Sequence, residues 1–114
     1  MVRIPTHRPP THPGEMLIEE FLKPLGLPQT ELADRLGVSY PRVNELVHGK
    51  RDMTPDTALR LERLLGVEAQ FWLNLQLAWD LYRAEHSVAA KEIAKIQPLK
   101  RRIRLSAGAV SRTA

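Results

Sequence analysis

The side chains with most to offer chemically lie close together, in the run SYPRVNELVHGKR from Ser39 to Arg51. Arg42 can donate two parallel hydrogen bonds to the O6 and N7 edge of guanine, Asn44 can pair with adenine, and Glu45 can accept from the exocyclic amine of cytosine. Tyr40 adds a phenol, Ser39 a hydroxyl, and Pro41 an apolar edge suited to a thymine methyl. Lys50 and Arg51 suit phosphate, which calls for charge more than for directed geometry. Together they complement base edges flanked by backbone. The means for catalysis are thin by comparison. His7, His12, His48 and His86 are scattered without a partner at metal-ligand spacing and read as ordinary surface histidines. Glu19 and Glu20 point about 100° apart on a helix, so they do not face one substrate. The chain has no cysteine, which excludes disulfides, thiolate metal sites and cysteine nucleophiles and suits a reducing cytosol. The expectation is a protein that is not an enzyme and needs neither cofactor nor metal.

Such side chains can read a duplex only if a rigid element presents them. Residues 29–48 have the pattern of two short helices around a tight turn. Gln29 opens the first, which buries Leu32, Ala33 and Leu36; Gly37 supplies the left-handed residue that ends it. Ser39 caps the second and Pro41 falls in its first turn, where a missing N–H costs nothing. Ala33 is small where the helices cross, and Val38, Val43 and Leu46 are apolar where they must lock. These constraints are those of a DNA-binding helix-turn-helix, with Tyr40, Pro41, Arg42, Asn44, Glu45 and His48 facing outward towards a major groove about 12 Å wide.

Three further helices complete the expected all-α, five-helix domain. One runs from Pro13 through Met16, Leu17 and Phe21 until Pro24 and Gly26 stop it. Another starts at Thr54-Pro55-Asp56, buries Ala58, Leu61, Leu64 and Leu65, and ends at Gly66. The fifth, from about Glu68 to Glu85, carries two apolar stripes. Phe71, Trp72, Leu75, Trp79 and Tyr82 form one; Leu73, Leu77 and Leu81 form another on a different side, which packing within the domain would leave in water. That second stripe is the candidate seam of a homodimer. The competing cover is the C-terminal segment folding back through Val88, Ile93, Ile96, Leu99 and Ile103.

The chain has 114 residues, enough for one core, and no run apolar and long enough for a membrane span or signal peptide, so a cytoplasmic protein is expected. The expected organisation is a lead-in over 1–11, a domain over 12–85 and a basic tail over 86–114. The net charge of +4 divides unevenly: ten Lys or Arg stand against twelve Asp or Glu up to residue 85, and seven against one beyond it. The tail (Lys100, Arg101, Arg102, Arg104) could hold RNA or an acidic partner, but the body lacks an aromatic platform for stacking bases.

Six phrases carry a family resemblance: HPGE at His12–Glu15, FLKPLGL at Phe21–Leu27, ELADRLGV at Glu31–Val38, RVNELVHGKR at Arg42–Arg51, TPDTALRL at Thr54–Leu61 and FWLNLQ at Phe71–Gln76. Over His12–Glu85 the chain resembles the HigA antitoxins, a branch of the Cro and lambda-repressor-like helix-turn-helix proteins. The resemblance implies a lambda-repressor-like fold, a dimer on a palindromic operator in double-stranded DNA, repression of its own operon, and neutralisation of a HigB-like ribonuclease toxin. It also implies that Gln29 touches a phosphate and that Tyr40, Pro41 and Glu45 meet base edges, with Ser39 and Arg42 at backbone or base. A stand-alone Cro-like regulator without a toxin is the alternative. Pro28 departs from the family pattern, replacing a capping Ser or Thr typically worth ~1 kcal/mol.

Overall fold

The computed structural model describes residues 9–100, and among these every regular element is a helix. The expectations placed on His7, Arg101, Arg102, Ile103 and Arg104, and on most of the lead-in, lie outside the described residues. Helix α1 is continuous through three segments: an α-helical Pro13–Leu17, a π-helical turn Ile18–Leu22 and a last α-helical turn Lys23–Leu25. Pro24 lies inside this last turn rather than ending the helix. It has no N–H to offer the carbonyl of Glu20, and the wider turn lies across the residues its ring would crowd. The added residue also brings Leu22 into the core beside Leu17, whereas Phe21 and Met16 are only half-buried.

The pair α2 (Gln29–Leu36) and α3 (Tyr40–Val47) forms as its local signals require. Leu32, Ala33 and Leu36 are buried from one side and Val43, Leu46 and Val47 from the other. Gly37 sits at φ +73°, the left-handed region in which a Cβ is strained, and its turn closes through the N–H of Val38 onto the carbonyl of Ala33. Ser39 caps α3, its Oγ accepting from the N–H of Arg42. α2 starts on Pro28 with no side-chain cap, as a proline there implies.

Helix α4 (Pro55–Leu65) has Thr54 as its N-cap, while α5 (Ala69–Glu85) crosses the back of the bundle. Trp72 of α5 is fully buried, against Phe21 and Phe71. Burying such a side chain contributes on the order of 2–3 kcal/mol, offset in part by its indole N–H, which is buried without a hydrogen-bond partner among the described residues. A short α6 (Ala89–Ala94) follows, an element the residue pattern of the tail does not announce.

The stripes of α5 part as their spacing predicts over most of their length, although Phe71 of the first stripe lies at the surface. Trp72 enters the core and Trp79 packs edge-on to His12, whereas Leu77 and Leu81 remain 57% and 53% exposed. Leu73 is half-buried and packs against the core, so only the outer part of the second stripe is open. The short α6 borders Leu81 through Ala90, Ile93 and Ala94, but Val88, Ile93, Ile96 and Leu99 are themselves exposed and the described part of the tail leaves most of that stripe open.

Candidate nucleic-acid interface

The outer face of α3 begins with Ser39, Tyr40 and Pro41, all exposed, and continues through the half-buried Asn44 and Glu45 to the exposed Lys50 and Arg51. Its side chains are tied to one another. The Asn44 amide donates to Gln29 Oε1 at 3.1 Å and to the Tyr40 hydroxyl at 3.3 Å. That link joins the start of α2 to the middle of α3 and gives Gln29 a fixed place despite the absent cap. Arg51 donates from Nε and Nη2 to Glu45 Oε1, at 3.1 and 2.8 Å. Lys50 has no ion-pair partner among the described residues, which leaves its ammonium open to an anion.

Arg42 is placed differently from the outward reader that the residue pattern suggests. Its Nη2 donates to Asp56 Oδ2 at 2.7 Å and to Thr57 Oγ1 at 2.8 Å, on the first turn of α4. Asp56 also accepts from Arg60 Nε at 2.9 Å, and Arg60 Nη1 reaches the carbonyl of Leu36 at 2.8 Å, capping the end of α2. The carboxylate thus ties α3 to α4, and Arg60 carries the link on to α2. The guanidiniums of Arg60 and then Arg42 hold that carboxyl below its usual pKa. In this conformation Arg42 braces α3 against α4, and a bidentate contact with guanine would require it to leave that brace.

The back of the reading unit depends on residues whose roles the sequence did not disclose. His12 is 5% exposed, so the expectation of an ordinary surface histidine fails for it. It caps α1, its Nδ1 accepting from the N–H of Gly14 at 2.8 Å, and Trp79 packs on its ring. Burial pushes its pKa below the ordinary value, against the opposing pull of Asp52, Asp80 and Glu15. Gly14 lies so close to α3 that an added Cβ would stand 1.8 Å from the Leu46 carbonyl oxygen. Gln76, 6% exposed, accepts from the N–H of Met53 at 2.7 Å and so reaches the segment that follows α3. Within HPGE and FWLNLQ, the residues His12, Gly14, Trp72 and Gln76 are therefore the ones that seat α1 and α5 on the back of α3 and its loop. Nothing local marks Gln76 as buried; its one sequence signal is its place four residues after Trp72, on the same side of the helix.

The helix-turn-helix family model matches residues 18–72. Virulence-associated protein I of Dichelobacter nodosus is 56% identical over 77 residues, spanning 68% of this chain and 71% of that protein. Antitoxin HigA-1 of Vibrio cholerae is 42% identical over 77 residues, spanning 68% of this chain and 72% of that one. Among solved structures, Pseudomonas aeruginosa antitoxin HigA with the higBA promoter superposes with a TM-score of 0.74 at 42% identity, covering 79% of this chain and 98% of its own. At that identity and coverage, with the likeness extending beyond the two reading helices into α1 and α5, the chain belongs to the helix-turn-helix family of HigA-type antitoxins.

Proposed function

We propose that the protein is a cytoplasmic repressor that binds a palindromic operator in double-stranded DNA as a homodimer and serves as the antitoxin of a type II toxin–antitoxin pair. It represses its own operon and neutralises a HigB-like ribonuclease toxin. One observation carries the reading: a short helix locked from behind presents Ser39 to Glu45 on its outer face, and that face runs on into Lys50 and Arg51. A relative of similar fold in complex with the higBA promoter supports it. Tyr40, Pro41, Asn44 and Glu45 face base edges in the major groove; Gln29 and Ser39 approach the backbone at its rim; Lys50 and Arg51 take phosphates. Arg42 either exchanges Asp56 for guanine on binding or acts through the brace. The exposed Leu77 and Leu81, with Leu73 beside them, form the dimer seam that sets two copies of α3 about 34 Å apart on one face of the duplex.

Co-expression with the neighbouring gene tests this reading, with mobility shift of the upstream DNA as the second readout. A purified complex and a shifted band are expected. A shift without a complex would make the chain a stand-alone regulator; no shift would remove the repressor reading. Lys50→Ala should weaken binding to all sequences alike and flatten the dependence of log K on log salt by about one unit.

A further inference from the structure

We propose that Gln76, on α5, is the positioning residue for the loop that carries Lys50 and Arg51, a deepening that rests on the reading of those two side chains as phosphate ligands. The loop leaves α3 pinned at its near end, where Gly49 N–H donates to the Leu46 carbonyl at 3.0 Å and Lys50 N–H to the Glu45 carbonyl at 2.8 Å. At its far end Met53 drops into the core at 2% exposure, and its buried N–H meets Gln76 Oε1 at 2.7 Å. Gln76 cannot turn its amide round. Its Nε2 donates to Asp80 Oδ1 at 2.9 Å and to Asp52 Oδ1 at 3.3 Å, and two carboxylates on one side demand the NH2 end there. The oxygen is therefore fixed towards the loop.

The same amide draws the Asp52 carboxylate back towards α5. Asp52 follows Lys50 and Arg51 directly, and a free anion there would oppose a phosphate bound by its neighbours. One side chain thus holds the two cations where the backbone passes and keeps the adjoining anion away. A residue that merely filled the space could do neither, because it would leave the Met53 N–H buried and unpaired.

The polarity of the amide supplies the test. In Gln76→Glu a carboxylate stands between Asp52 and Asp80, the donor is removed and repulsion pushes the loop outward. Adding Asp80→Asn returns a donor to the cluster with its direction reversed. The full chain is titrated onto a random-sequence duplex of about three helical turns (~30 base pairs) over a series of salt concentrations, because phosphate binding is independent of sequence. Gln76→Glu is expected to bind about tenfold more weakly and to flatten the salt slope by one to two units, about one for each phosphate no longer neutralised. The double variant should regain part of the wild-type slope, because the Asn placed at residue 80 can donate to the carboxylate introduced at residue 76 while Asp52 still faces that carboxylate. Hydrogen exchange at the Met53 amide should quicken in Gln76→Glu while Val43 and Leu46 in α3 stay protected. A wild-type salt slope in a Gln76→Glu protein that keeps its helix content and its α3 protection would overturn the proposal. If Gln76→Glu cannot be purified folded, Gln76→Met, which introduces no charge but leaves the Met53 N–H unpaired and releases Asp52, should flatten the slope less; an unchanged slope overturns the proposal equally. If the wild type binds no duplex, the DNA reading fails by itself, and the Met53 exchange rate alone decides whether Gln76 holds the loop.

Discussion

The two sides of the α2–α3 pair differ in how their polar groups are satisfied. On the outer side the side chains pair with one another: Gln29, Asn44 and Tyr40 form one chain, Glu45 and Arg51 another, all at least partly open to water. On the inner side, buried polar groups from distant parts of the chain each hold a backbone group, His12 at Gly14 and Gln76 at Met53. Solvent-exposed pairs contribute little to stability and can be exchanged for a ligand at little cost, whereas a buried donor left unpaired costs about 1–3 kcal/mol. The outer face is thus free to rearrange onto DNA because the inner face is not. The far end of α5 is a third case, an apolar surface on which Leu77 and Leu81 stay largely open.

The sharpest way to break this contrast is Gly14→Ala. Its Cβ would collide with backbone, which cannot swing aside as a flexible side chain can, so α1 must separate from α3. A loss of about 3 kcal/mol in denaturant unfolding is expected; a loss below about 1 kcal/mol would mean that the two helices are not rigidly seated. Arg42→Ala should cost ~1–3 kcal/mol in binding on the operator. An equal loss on random DNA would assign Arg42 to the brace through Asp56 and Thr57, while a changed sequence preference would make it a base reader.

The buried cap gives a pH dependence of definite sign. His12 is held below its ordinary value of 6.5 in the folded protein, so between that value and its folded pKa the unfolded chain binds a proton that the folded chain does not. Stability should therefore be fully present above the ordinary value and fall as the pH drops through that window. His12→Asn, which can still cap through its side-chain oxygen, should reduce the slope; an unchanged acid limb in thermal melts of that variant would remove His12 as its source. The smallest change in stability is expected at the open stripe. In the isolated protomer Leu77→Glu should shift unfolding by no more than about 0.5 kcal/mol, because the side chain meets water there; where the dimer forms, loss of the seam adds to that figure. The variant should appear in sedimentation as a monomer; an unaltered sedimentation profile would take the dimer seam elsewhere.

The contrast also explains what could be read in advance. Caps, turn glycines and apolar spacing act within one or two turns of helix, so the starts at Ser39 and Thr54, the left-handed Gly37 and the two faces of α5 were all legible from neighbouring residues. The candidate DNA face was legible for the same reason: once Ala33, Val43 and Leu46 are assigned inward, Tyr40, Pro41 and Asn44 follow outward. The π turn in α1 was not, since a proline at residue 24 reads equally well as a helix stop.

Residue types and spacing alone were sufficient to determine a helix-turn-helix and the outline of its polar surface. Tertiary structure decided which polar groups would be hidden and which would be drawn off the surface: His12 and Gln76 inward, Arg42 onto Asp56. The physical reason is separation along the chain. Arg42 meets Asp56 from fourteen residues away and Gln76 meets Met53 from twenty-three, and no periodicity spans such distances. Only the close approach of whole helices, permitted at Gly14 and secured by Trp72, brings those partners within hydrogen-bond reach.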